Sequence, residues 1–96
     1  MSNEPLQLAI GIPGRPTVLR RNQAYQLAVL TNQDAFVYCY LRDEGNQVQR
    51  IFPNRFDRDA AVRPSHPLML PGKGAFELRT SPRGAVEAVV CYATRR

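Results

Sequence analysis

Phe36-Val37-Tyr38-Cys39-Tyr40-Leu41 and Val86-Glu87-Ala88-Val89-Val90-Cys91-Tyr92 decide how this chain is read. Both are short runs rich in β-branched and aromatic side chains, which suit a pleated, half-buried strand. Each carries one of the 2 cysteines of the chain. Successive side chains on a strand point to opposite faces. Val37, Cys39 and Leu41 therefore share one face, and Phe36, Tyr38 and Tyr40 the other. In the second run Val89, Cys91 and Ala93 lie together. Both cysteines are flanked by apolar neighbours on their own face, as inward positions are. The bulkier Phe36/Tyr38/Tyr40 face is a second candidate for the core, and Cys39 would then lie on a second buried surface.

Outside these runs the same period of two recurs. Leu6 to Ile12 reads as a strand, followed by the chain breakers Gly11, Pro13, Gly14 and Pro16. Val18 and Leu19 read as a short edge segment. Tyr25, Leu27, Val29 and Thr31 fall on one face of a further strand, and Gln26, Ala28 and Leu30 on the other. Asn32-Gln33-Asp34 is a turn signal, and a strand from about Ala35 to Arg42 follows. Asp43-Glu44-Gly45-Asn46 links it to a second arm, Gln47 to Phe52, which Pro53 ends because proline has no N–H for a ladder. Asn54 to Pro67 reads as irregular and charged, with a single helical turn as an option over Asn54–Ala61. Leu68-Met69-Leu70, Ala75 to Thr80 and Val86 to Ala93 complete the strands, with turns at Pro71-Gly72-Lys73-Gly74 and Ser81-Pro82-Arg83-Gly84. Six to eight short strands with Gly/Pro punctuation predict an all-β fold, an Ig-like antiparallel β-sandwich of about seven strands.

A chain of 96 residues makes one domain. Hydrophobic residues are 44% and charged residues 22%, ordinary for a globular protein. Net charge is +5, and Lys73 is the single lysine among 13 basic residues. An arginine bias of this kind follows from GC-rich coding, although a basic domain also favours acidic partners through its field. No run approaches the roughly 18 apolar residues of a membrane span. The first residues show no basic n-region before an apolar core, so no signal peptide is read there. A domain cut from a secreted parent reads the same way.

If the two cysteine strands are neighbours or face each other across the sandwich, a disulfide is feasible and would close a loop of 52 residues. Two separate buried thiols are the alternative. The spacing matches neither a CxxC redox pair nor a zinc site.

Tyr25-Gln26-Leu27-Ala28-Val29, then Ala35-Phe36-Val37-Tyr38-Cys39-Tyr40, then Gly45 with Val48 and Arg50-Ile51-Phe52-Pro53-Asn54, resembles a bacterial domain-of-unknown-function family, number forty-three eighty-four of that series. The family usually writes the last stretch as a glycine turn followed by LFPN. Leu70-Pro71, Phe76, Gly84, Glu87 and Cys91 extend the match, which runs from about Tyr25 to Thr94. Ala35 departs from it, since a glycine often precedes the aromatic strand. The resemblance implies an accessory β module of the kind appended to caspase-like peptidases, protein kinases, or envelope and curli-type lipoproteins. It carries over no catalytic residue. The domain reading is a single unit over 1–96, with a family-like core at 25–94 and an N-terminal strand and Pro/Gly-rich connection at 1–24.

The residues that carry chemistry are few. His66 with Cys39 or Cys91 is a formal nucleophile–base pair, but both cysteines sit mid-strand and His66 in a proline-flanked loop. Asp57-Arg58-Asp59 near His66 lacks the spacing of a calcium or zinc site. Phe52, Asn54, Arg55, Phe56, Arg58 and Arg63 interleave aromatic and arginine side chains on one loop. They form a candidate partner-binding loop, or a plug for one end of the sandwich with a solvated rim. Tyr38, Tyr40 and Tyr92 form a candidate aromatic surface for a peptide, glycan or protein. The reading is a non-enzymatic interaction module with no catalytic residue, metal or cofactor. Its partner is a protein or another domain of the same parent chain, met in the envelope, in a secreted context or in a signalling protein. The periplasm, envelope or exterior is favoured over the cytoplasm. An OB-like barrel binding single-stranded nucleic acid is the alternative, and a glycan-binding module is a weaker one.

Overall fold

The computed structural model describes residues 4–14, 19–72, 77–84 and 87–96. Among them nine strands run in the order β1 Leu8–Gly11, β2 Ala24–Tyr25, β3 Leu27–Thr31, β4 Ala35–Arg42, β5 Val48–Phe52, β6 Ala61–Val62, β7 Leu68–Leu70, β8 Leu78–Arg79 and β9 Ala88–Thr94. Every strand pairing is antiparallel, and no helix occurs among the described residues, so none there is long and apolar enough to cross a membrane. The fold is all-β with a sandwich-like arrangement, as the alternation predicts. Pro16, Val18, Lys73, Gly74, Ala75, Phe76 and Val86, which enter the sequence reading, lie outside the described residues.

One ladder runs β1-β3-β7 and a second joins β2 to β8. The third is built on β4. Phe36 is opposite both Thr94 and Ala61, and Arg42 is opposite both Ala88 and Val48. Strand β9 therefore lines one edge of β4 from end to end, while β6 and β5 share the other edge. Side chains from the three ladders meet in one core: Leu27 and Val29, Val37 and Cys39, Ile51 and Phe52, Val62, Leu70 and Leu78. The Val37/Cys39 face of β4 is the buried one, and the Phe36/Tyr38/Tyr40 face points out.

The β4–β5 hairpin contains a bulge. Cys39 is opposite Phe52 but Tyr40 is opposite Arg50, so Ile51 is the extra residue. An inserted residue breaks strict alternation. It lets consecutive residues Ile51 and Phe52 both turn inward, at 3% and 1% exposure.

Several elements differ from the sequence reading. The first strand is only Leu8–Gly11. The strand read from Tyr25 to Thr31 is two pieces that change partner, Tyr25 lying opposite Leu78 and Leu27 opposite Leu70. Asn54–Pro67 is not wholly irregular and holds no helical turn. Its Ala61–Val62 pairs with β4, helped by Asp59 Oδ1 accepting from the Ala61 N–H and by Val62 entering the core.

The N-terminal segment is part of the fold. Besides the β1–β3 ladder, Asn32 Oδ1 accepts from the Gln7 N–H at 2.7 Å, and its Nδ2 donates to the Pro5 carbonyl at 3.0 Å. Arg95 donates to the Glu4 carbonyl and to Gln33 Oε1, tying β9 to the same corner.

Cys39 and Cys91 are directly opposite on β4 and β9, with Cα atoms 4.1 Å apart and sulfurs bonded at 2.11 Å. The bond closes a loop with a sequence separation of 52, which the chain-entropy argument values at about 4 kcal/mol. Reduction with a dithiol is therefore expected to lower the unfolding free energy by roughly that amount in urea titrations at neutral pH. A loss below about 1 kcal/mol would show that the bond constrains the unfolded chain far less than loop closure requires.

Candidate functional site

Alternation along β4 places Phe36, Tyr38, Tyr40 and Arg42 on its outward side. The β4–β9 register adds Thr94, Tyr92, Val90 and Ala88 to that side, and the β4–β5 register adds Arg50 and Val48. Tyr38 is opposite Tyr92, and the Tyr40 and Tyr92 rings meet edge to face with centroids 6.1 Å apart. Tyr92 is 61% exposed, Val48 63% and Val90 45%. An antiparallel sheet with one face in water normally turns polar side chains outward. This face instead forms a hollow of about 590 Å³ lined by Tyr38, Tyr40, Arg42, Val48, Val90 and Tyr92, with Ala88 beneath.

The structure brings the three candidate tyrosines together. Arg42, Arg50, Val48 and Val90 are members that sequence reasoning missed. Arg42 was legible, being two residues beyond Tyr40 on the same strand. The other three needed the strand register. Arg42 and Arg50 are exposed, and their guanidiniums make no hydrogen bond or ion pair among the described residues.

The loop candidates separate. Phe52 is buried at 1% exposure, so it is a core side chain and not part of a binding loop. Asn54 is half-buried and shapes the turn. Its Oδ1 accepts from the Phe56 and Asp57 N–H groups at 2.8 and 3.0 Å, and its Nδ2 donates to the Ile51 carbonyl at 2.9 Å. Arg55, Phe56, Arg58 and Arg63 are exposed. The Arg55 guanidinium lies 5.2 Å from the centre of the Phe56 ring, so these two satisfy each other by a cation–π contact.

His66 is on a tight turn, its N–H donating to the Arg63 carbonyl and its Nδ1 sharing a 3.0 Å hydrogen bond with Ser65 Oγ. Both cysteine sulfurs are joined to each other, so neither is paired with His66. No group of three or more His, Cys, Asp or Glu side chains among the described residues is placed to hold a metal ion.

A polar cleft of about 700 Å³ lies between the β4–β5 turn and the chain after β8, lined by Asp43, Glu44, Arg79, Ser81, Arg83 and Glu87 among others. Its charges largely serve one another. Buried Ser81 donates to Glu44 Oε2 at 2.9 Å, and Arg83 reaches Glu44 Oε1 at 3.3 Å. Arg79 contacts Glu77 at 2.7 Å on the solvent side, and its hydrogen bond and charge hold the Glu77 carboxyl below its usual range. The cleft is a latch between two turns.

A family model described as a domain of unknown function, DUF4384, matches residues 18–96. The chain belongs to the DUF4384 family. The match includes every strand from β2 to β9, and with them the aromatic face and both cysteines. No curated protein and no solved structure matches the chain significantly. Membership in DUF4384 assigns no activity, so the site rests on its own geometry.

Two outcomes follow. Asn54→Ala removes three hydrogen bonds at a half-buried turn and is expected to cost about 1–3 kcal/mol in chemical denaturation. A cost under about 0.5 kcal/mol would mean water replaces them. The Tyr25 phenol is held above its ordinary value of 10.0, first by burial and then by the negative charge of Glu87. The folded chain thus keeps a proton the unfolded chain has released. That contribution is complete below about pH 10 and is lost as pH rises through the folded value. Tyr25→Phe is expected to flatten the alkaline fall in thermal stability. Identical alkaline profiles would count against it.

Proposed function

We propose that this domain is a non-enzymatic protein-binding module, and that it docks its partner on the outward face of the β4-centred sheet. The observation that carries this reading is the exposed aromatic and aliphatic surface around Tyr38, Tyr40 and Tyr92. Contiguous apolar surface of this kind is costly in water and marks interaction sites. Tyrosine suits such a site because it offers large rigid area with a polar tip. The interior supports the same reading, since it is filled by packed apolar side chains and a disulfide.

The alternative of single-stranded nucleic acid has tyrosine and arginine in its favour. It needs open ring faces on which successive bases stack. The Tyr40–Tyr92 pair, with an interplanar angle of 69°, spends an edge against a face. The polypeptide reading is therefore the better supported. The disulfide supports an oxidising compartment, the envelope or the exterior, because such bonds persist there.

The test uses two exposed positions whose substitution leaves the core alone. Val90→Thr with Tyr92→Ser is expected to keep the melting temperature within about 5 °C, since surface changes rarely exceed about 0.5 kcal/mol. A partner captured by the wild-type domain, purified and titrated, is expected to bind this variant at least about tenfold more weakly. Equal affinity for both proteins would overturn the reading.

A further inference from the structure

Arg42 and Arg50 are the charged members of the aromatic face, and no carboxylate stands among the described outward residues of its strands β4, β5 and β9. Its outward residues on β4, β5 and β9 are Phe36, Tyr38, Tyr40, Val48, Val90 and Tyr92, with small or hydroxyl side chains at Ala88 and Thr94. Both guanidiniums lack a partner among the described residues. By contrast the acidic groups of the nearest turn are engaged elsewhere. Asp43 Oδ1 accepts from the Gly45 and Gln47 N–H groups, and Glu44 pairs with Ser81 and Arg83. Arg42 lines the hollow itself. The hollow is therefore an apolar floor with an unpaired, fork-shaped cation at one end.

Resting on the protein-binding reading above, we infer that the occupant is an extended, acidic polypeptide segment whose carboxylate is held by Arg42. The spacing fits. Tyr38, Tyr40 and Arg42 follow at every second residue along β4, and alternate side chains of an extended peptide repeat at the same interval. Two apolar residues and then a Glu or Asp, at alternate positions of the ligand, lie opposite Tyr38, Tyr40 and Arg42 in turn. The guanidinium presents a planar pair of donors that matches a carboxylate bidentately, in a partly apolar setting that strengthens the contact. The net charge of +5 attracts the same ligand from a distance. A second copy of the chain fits poorly. It would bring another arginine-bearing face, again with no carboxylate among the described outward residues of β4, β5 and β9, against the first.

The probe is a synthetic peptide of about nine residues with Val, Phe and Glu at alternate positions on a Ser/Thr background, titrated into the intact domain at about 0.15 M salt. The glutamate peptide is expected to bind about tenfold more tightly than its glutamine counterpart, the usual advantage of a charge-assisted bond over a neutral one. Arg42→Gln, an exposed position, is expected to remove that preference while changing affinity for the glutamine peptide by less than about twofold. Arg42→Lys is expected to keep only part of the preference, because the fork is lost and the charge is not. Equal binding of the two peptides by the wild type overturns the acidic inference and leaves the docking face standing. Binding of neither also overturns it, while partner capture lost in the Val90/Tyr92 variant would still uphold the broader reading. Tighter binding of a thymidine oligonucleotide at this face, or a dimer in sedimentation that Tyr92→Ser dissolves, overturns it too.

Discussion

The structure depends on the pairing of β4 with β9 and on the covalent bond at its middle. β4 is flanked by strands on both edges, and the Cys39–Cys91 bond joins directly opposite residues. A slip of one residue in a strand moves all its side chains to the other face. The disulfide forbids that slip. With Val37 and Cys39 held inward, Tyr38 and Tyr40 are held outward, and their counterparts on β9 face the same way. The same link thus sets the core on one side of the sheet and the aromatic face on the other.

The bulge at Ile51 governs the opposite edge. Strict alternation would have put one of Ile51 and Phe52 in water. The inserted residue buries both and returns Arg50 and Val48 to the outward side beside Tyr40 and Arg42. It also explains why the Phe52–Arg63 stretch does not behave as one loop. Its first aromatic belongs to the core, Asn54 ties the turn, and Ala61–Val62 pairs back onto β4. The remaining exposed pair, Arg55 and Phe56, satisfies itself.

These constraints leave two kinds of polar region. Around Glu44, Ser81 and Arg83 the charges answer one another and join two turns. On the outward sheet face two guanidiniums answer nothing among the described residues, beside tyrosine rings that water solvates poorly. A domain of this size has modest stability to spare. Exposed apolar surface next to these cations is the feature on which the proposed docking face rests.

Local periodicity by itself determined the all-β class, the span of β4 from Ala35 to Arg42, the turn after it, the shared face of Cys39 with Val37, and the common face of Tyr38 and Tyr40. These follow from alternation and turn chemistry, which act over neighbouring residues. The tertiary structure decided which face of β4 is buried, that Cys91 lies opposite Cys39, and that Tyr92, Val48, Val90 and Arg50 join the tyrosines. It also decided that the strand read as Tyr25 to Thr31 divides between two ladders, and that Phe52 leaves the loop for the core. Each of these rests on register or on a bulge between segments distant in sequence. A one-residue choice there inverts a face, and no local pattern records which choice is made.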